Sequence, residues 1–315
     1  MDHSWKQIGG FFALTFLILA LVPILSAVTG ASMDFAAVAA SATEKTGIEQ
    51  TSNLLTLFRL CLAEPGLWLL VLGSAVPSFA AIAIIVLTGP RKLKILLARF
   101  HPLGSGADLQ MAIRAYGKIF VLYPIGLLLV YGLRSVLPGP DYALPENIYG
   151  PALLIALLNA AFMDQGALLE ELGWRGYAQN EMQSRLLSPF TAALVIGVAW
   201  GLWHVPRDVF AGVIERLGTV QYLFLYLPSF VLGTVTTSII AAYFINRCGG
   251  SVWPAIIVHG LGNDAVGLSG MASINQVLTP YHQITKALPF TIVAIAIVVM
   301  AGRELGRTQA YQPAE

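Results

Sequence analysis

The chain has 315 residues, of which 57% are hydrophobic and only 11% charged, less than half the charged share of an ordinary soluble domain. Lys plus Arg number 18 against 17 Asp plus Glu, a formal net charge of +1. That balance excludes a basic field for nucleic acid and an acidic tail. Two cysteines, Cys61 and Cys248, are too few for a disulfide framework or a thiolate metal site. A single globular core cannot hide this much apolar surface behind so thin a charged shell. The composition predicts an all-α polytopic membrane protein, a single integral membrane domain over residues 1–315 with the lipid bilayer as its solvent.

A transmembrane helix needs roughly 20 apolar residues, and eight such stretches follow one another. The first, 8–28, is too long for the apolar region of a signal peptide and is expected to remain as an uncleaved span. Residues 32–64 read as a mixed, mildly acidic loop on the far side. A second span covers 67–87. The strongly basic stretch 91–118 follows; within it 93–100 could lie on the membrane surface as an amphipathic helix, or form a solvated loop with an apolar patch. The third and fourth spans cover 118–137 and 151–169. Ser188-Pro189 is a natural helix start, opening the fifth span at 189–203. The last three cover 222–245, 252–268 and 288–301. With the N-terminus cytoplasmic, 12 of the 18 Lys and Arg fall on that side, which predicts that both termini are cytoplasmic. No repeat and no domain boundary is visible.

Ionisable groups inside apolar sequence are expensive and point to function. The fourth span ends in two adjacent carboxylates, Glu170 and Glu171, followed by Arg175. Glu171 and Arg175 stand at i and i+4 with Glu first, the favourable order for a helical ion pair. Glu170 points about 100° away, which leaves it the better base and Glu171 the structural anion. Counting from Ser188, Glu170 lies 18 residues before and His204 16 after, so an antiparallel hairpin puts them at nearly the same depth. On the fifth span Trp200 and His204 share a face, and on the seventh His259 and Asn263 do the same. Gly197, Gly201, Gly260 and Gly262 would let these helices approach closely. Three helices that each carry costly polar groups predict one shared buried site. Asp164, six residues before Glu170, reads as a capping or cavity-lining residue.

Taken together, Glu170-Glu171-x-x-x-Arg175, Trp200-x-x-x-His204 and His259-x-x-x-Asn263 resemble the motifs of the CPBP family, the CAAX proteases and bacteriocin-processing enzymes. The resemblance covers the catalytic core helices 151–268 and includes the local strings around Glu170 and Trp200. Trp200 stands where phenylalanine is common in that family. The resemblance implies an intramembrane endopeptidase acting on a peptide or lipidated protein substrate, CAAX-type in some members. It implies that Glu170 activates water, that His204, His259 and Asn263 support or polarise the reacting carbonyl, and that Glu171 and Arg175 hold the geometry. It further suggests the cytoplasmic membrane of a bacterium as location. No cofactor is expected; a zinc variant using the histidines and a glutamate stays open, although the H-E-x-x-H spacing is absent. A proton-coupled transporter and a non-catalytic immunity or scaffold protein are the competing readings. Neither the substrate nor the oligomeric state is written in the sequence.

Overall fold

The computed structural model describes residues 3–104, 107–139, 151–185, 187–268 and 277–307, and among these every regular element is helical. Six runs are long and apolar enough to cross a bilayer: Trp5–Thr29, Pro65–Thr88, Leu109–Val136, Pro189–Phe210, Thr219–Arg247 and Pro280–Glu304. Their outer faces carry large exposed hydrophobic side chains, Val28, Leu87, Leu128 and Val299 among them, as lipid-facing surfaces require. The protein is an all-α, polytopic integral membrane protein.

In chain order, α1 (His3–Thr29) lies against α4 (Trp68–Thr88). Between them the expected loop is in fact a pair of short helices, α2 (Phe35–Thr46) and α3 (Leu54–Ala63). Asp34 and Asn53 cap them through bonds to Ala37 N and to Leu55 N and Thr56 N, which satisfies N–H groups that a helix start leaves open. Gly47, at φ 68°, ends α2 in the left-handed conformation, where glycine carries no side-chain penalty. Ala39, Leu57, Leu60 and Cys61 form the small core under this pair. Ten residues of α3 rise only about 15 Å, so α3 enters the bundle without crossing it.

The basic stretch contains α5 (Lys92–Ala98), a helix as one of the two expectations had it. Leu96 is buried in the α1–α4 cluster while Leu97 stays exposed. The helix is therefore docked on protein as well as facing outward. Its exit is stitched to the start of a later helix by Val252 N to Arg99 O at 2.9 Å and Trp253 Nε1 to Phe100 O at 2.7 Å. Next comes α6 (Leu109–Val136).

The fourth span departs from the expected continuous helix. It consists of α7 (Pro151–Met163), α8 (Gln165–Glu171), a π-wound segment Leu172–Gln179 and α9 (Asn180–Arg185). After it, α10 (Pro189–Trp203) packs closely on α14 (Leu227–Arg247), with short helices α11 (Val205–Phe210), α12 (Val213–Leu217) and α13 (Thr219–Gln221) between them. A second π-wound segment, Tyr222–Tyr226, leads into α14. The last two helices are α15 (Trp253–Leu268) and α16 (Pro280–Ala301). Among the described residues the six long runs, the broken fourth span and α15 are compatible with the eight expected segments. Arg175 and Arg134 are buried side chains rather than loop cations; removing one from each side of the charge tally leaves its sign unchanged.

Candidate functional site

The break at Asp164 sets the site. Asp164 takes an extended conformation (φ −60°, ψ 123°) and caps α8, its Oδ1 accepting from Ala167 N at 2.7 Å. Met163 is therefore the last residue of α7, and the backbone groups freed at the break need other partners. The turn before α3 supplies one: Gln165 N donates to Ser52 O at 2.8 Å, and Asn53 forms a bridge with Asp164. Asn53 Nδ2 also donates to Asn159 Oδ1 at 3.0 Å. Non-helical backbone at membrane depth is tolerated only where protein buries it, and the helical pair α2–α3 does so here.

Below the break α8 presents Glu170 and Glu171 side by side, and the chain then winds into the π segment that carries Arg175. Such wider turns cluster at functional sites. This one is pressed against α4: a side chain at Gly173 would collide with the Pro77 backbone, and Ser78 Oγ donates to Leu169 O at 2.5 Å.

Glu171 and Arg175 pair as their spacing predicts, Arg175 Nη1 to Glu171 Oε1 at 2.7 Å, with both side chains about 1% exposed or less. The same Oε1 receives His259 Nδ1 from α15 at 2.8 Å. Arg175 Nη2 donates to Ser238 Oγ on α14 at 2.7 Å, and the guanidinium lies 4.4 Å from the centre of the Trp200 ring. One carboxylate oxygen and one guanidinium thus tie together the fourth span, α10, α14 and α15. Glu170 points elsewhere, as expected. Its Oε2 accepts from Trp200 Nε1 at 2.7 Å. Its other oxygen, Oε1, faces Gly166: a Cβ there would stand 3.4 Å from Glu170 Oε1, from Asp164 Oδ1 and from Asn263 Nδ2. Gly166 therefore marks the point on which these three side chains converge.

Asn263 donates through Nδ2 to Asp164 Oδ1 at 3.2 Å. An ionised carboxylate only accepts, so this bond sets which end of the amide faces Asp164 and leaves the second Nδ2 hydrogen for another acceptor. The His259 ring meets Trp200 edge-on at 4.8 Å. His204 sits one turn beyond Trp200, its Nδ1 donating to Trp200 O at 2.7 Å, with its ring between Trp203 (4.9 Å) and Phe230 (5.1 Å).

Close approach of the backbones makes this possible. At Gly260 a Cβ would strike the Ala160 carbonyl of α7, and at Gly197 and Gly201 it would strike α14. Gly262 is different: its nearest neighbour, Tyr123, is 3.8 Å away, so packing does not demand a glycine there. Among the described residues no three His, Cys, Asp or Glu side chains are grouped as a metal ion would require.

All six residues picked out in sequence lie in this region. The indole bond to Glu170, the Ser238 hydroxyl and the Gly166 floor were not foreseen. Trp200 could have been, since an indole N–H inside an apolar span needs a partner. Ser238 is one of several hydroxyl residues in α14, beside Thr234, Thr236 and Thr237, so nothing in the sequence singled it out.

Residues 150–264 match the model of a family described as type II CAAX prenyl endopeptidase, Rce1-like. A protein of Methanococcus maripaludis named CAAX prenyl protease 2 is 33% identical over 152 residues, which is 47% of this chain and 49% of the relative. The chain thus aligns with about half of the length of that curated relative. The family match falls on the helices that carry the three motifs, so residues 150–264 are similar to the Rce1-like type II CAAX prenyl endopeptidases.

Proposed function

We propose that this chain is a CAAX-type intramembrane endopeptidase that hydrolyses a peptide bond in a prenylated or otherwise membrane-associated substrate, with Glu170 activating the water. The observation that carries this reading is the asymmetry of the Glu170 carboxylate. One oxygen is fixed by the Trp200 indole; the other is aimed at the space shared with Asn263 Nδ2. A general base must reach the proton it removes while its own orientation is held.

In this mechanism Glu170 Oε1 takes a proton from water as the water oxygen attacks the scissile carbonyl carbon. Negative charge builds on the carbonyl oxygen, where the second Nδ2 hydrogen of Asn263 and an N–H at His259 Nε2 stabilise it. His259, with Nδ1 donating to Glu171 Oε1, presents that N–H when it is protonated. The C–N bond then breaks, and the proton held by Glu170 passes to the departing amine. His204, which donates from Nδ1 to Trp200 O, has Nε2 left to support the leaving group. Glu171 and Arg175 act by holding His259 and Trp200 in place.

The test is cleavage of a prenylated CAAX-type peptide by purified protein. Glu170→Ala should lower kcat by about 10²–10⁴-fold with little change in KM. Chelator treatment should leave the wild-type rate unchanged; loss on chelation with rescue by zinc would replace the water-activating glutamate by a metal. Full activity in Glu170→Ala would overturn the assignment. The family and relative are described as an endopeptidase and a protease, and give no support to transport or scaffolding. The basic asymmetry supports cytoplasmic termini. Reporter fusions at Gly104 (cytoplasmic) and Thr46 (opposite side) test that orientation.

A further inference from the structure

We infer that Arg207 anchors the free C-terminal carboxylate of the peptide that the site cuts, an inference that rests on the protease reading above. α11 begins directly after His204, and Asp208 N bonds His204 O at 3.2 Å, so Arg207 is held in register with that histidine. Its guanidinium carbon lies 5.0 Å from the Phe230 ring centre, and Phe230 in turn packs on the His204 ring at 5.1 Å. The guanidinium is therefore within about 10 Å of the His204 ring.

The way Arg207 is held leaves one edge open. Nε and Nη2 donate to Asp208 Oδ1 at 3.0 and 2.7 Å. Asp208 is completely buried and is satisfied from behind by the hydroxyls of Tyr222 at 3.2 Å and Tyr226 at 3.4 Å. Three side chains thus brace the guanidinium from the interior. Guanidinium has five N–H donors in a planar fork, and these bonds do not use the two on Nη1. The side chain is 41% exposed while Asp208 is at 0%, so the free edge faces outward from a rigid mount. That edge is the one able to grip a carboxylate with two parallel bonds. Because Asp208 offsets much of the charge, the group acts at short range through hydrogen bonds rather than as a steering field.

The experiment uses the purified full chain in lipid vesicles and two prenylated peptides that differ only in a C-terminal acid or amide. The wild type should cut the acid with a kcat/KM about 10- to 100-fold above the amide, the range for hydrogen bonds to a charged group, the difference lying mostly in KM. Arg207→Gln should bring the acid down to the amide's rate, abolishing the ratio between the two. Arg207→Lys should keep part of the preference. Equal cleavage of acid and amide by the wild type overturns the anchor while leaving the protease reading intact, and needs no variant to fold. Retention of the full preference by a folded Arg207→Gln does the same. Cleavage of neither peptide by the wild type overturns both readings together.

Discussion

Replacing Glu171 by Gln removes a charge that two cations or N–H donors share at a single oxygen. Arg175 Nη1 and His259 Nδ1 both end on Glu171 Oε1, at 2.7 and 2.8 Å, and Arg175 is one of the largest fully buried side chains in the molecule. Removing one partner of a buried pair costs about 3–5 kcal/mol. The upper half of that range is expected here, because the amide can serve only one of the two donors well. Arg175 keeps Ser238 Oγ and the Trp200 ring, which prevents complete loss of its site. At roughly 2–4 °C per kcal/mol for a chain of this size, the melting temperature in mild detergent should fall by about 10 °C. Arg175→Met should fall comparably, since it leaves a carboxylate buried with His259 alone. The double variant removes both charges, so its loss should be smaller than the sum of the single losses by about 2–3 kcal/mol. Additive losses would refute the claim that this pair is the brace of the site. So would a Glu171→Gln protein that melts within about 3 °C of the wild type, a bound set as half of the smallest shift that the range allows.

Trp200→Phe deletes the indole N–H but keeps an aromatic ring against Arg175 and His259. It should lower kcat by about 10-fold or more with KM nearly unchanged, as loss of a bond to a charged group would; an unchanged kcat would show that Glu170 needs no such support. Gly260→Ala should not accumulate as folded protein, because its methyl group meets the α7 backbone, whereas Gly262→Ala should express and melt like the wild type. Detergent size-exclusion profiles of the two separate these outcomes. At the surface, Lys45 and then Ser41 hold Glu64 below the usual carboxylate range. A lowered folded pKa stabilises above the unfolded value, and the gain is lost as pH falls through the folded one. Melting curves of wild type and Glu64→Gln should therefore differ at neutral pH and converge in acid; a constant gap would contradict that linkage.

Much of this was legible because membrane sequences are written in few letters. Long apolar runs locate α1, α4, α6, α10, α14 and α16, and a carboxylate or histidine inside such a run stands out against its cost. The Glu171–Arg175 pair and the common faces of Trp200 with His204 and of His259 with Asn263 follow from helical spacing alone. The break at Asp164 was legible only in part. Asp164-Gln165-Gly166 interrupts the apolar run 151–169 and Asp164 reads as a cap, but the contact with Ser52 and Asn53, more than a hundred residues earlier, that makes an extended residue affordable there is tertiary. α2 and α3 were read as loop for a related reason: at 12 and 10 residues they fall below the length that marks a span.

The places where local rules fail are also the places where the chemistry sits. A continuous α-helix through 151–185 would satisfy every backbone group and would carry Glu170, Glu171 and Arg175 on a regular 3.6-residue pitch. Residues 170 and 171 would still diverge, but no side chain would reach back from above Glu170. Breaking the helix at Asp164 frees a carboxylate that caps α8 with one oxygen, through which it also holds Asn263. In the widened turn Arg175 keeps its i,i+4 partner Glu171 and also reaches Ser238 on α14. Each departure is unfavourable for an isolated helix, and natural sequences tolerate such conflicts mainly at functional sites. Two conflicts in one span, flanking the same pair of glutamates, are hard to reconcile with a segment whose task is only to cross the bilayer.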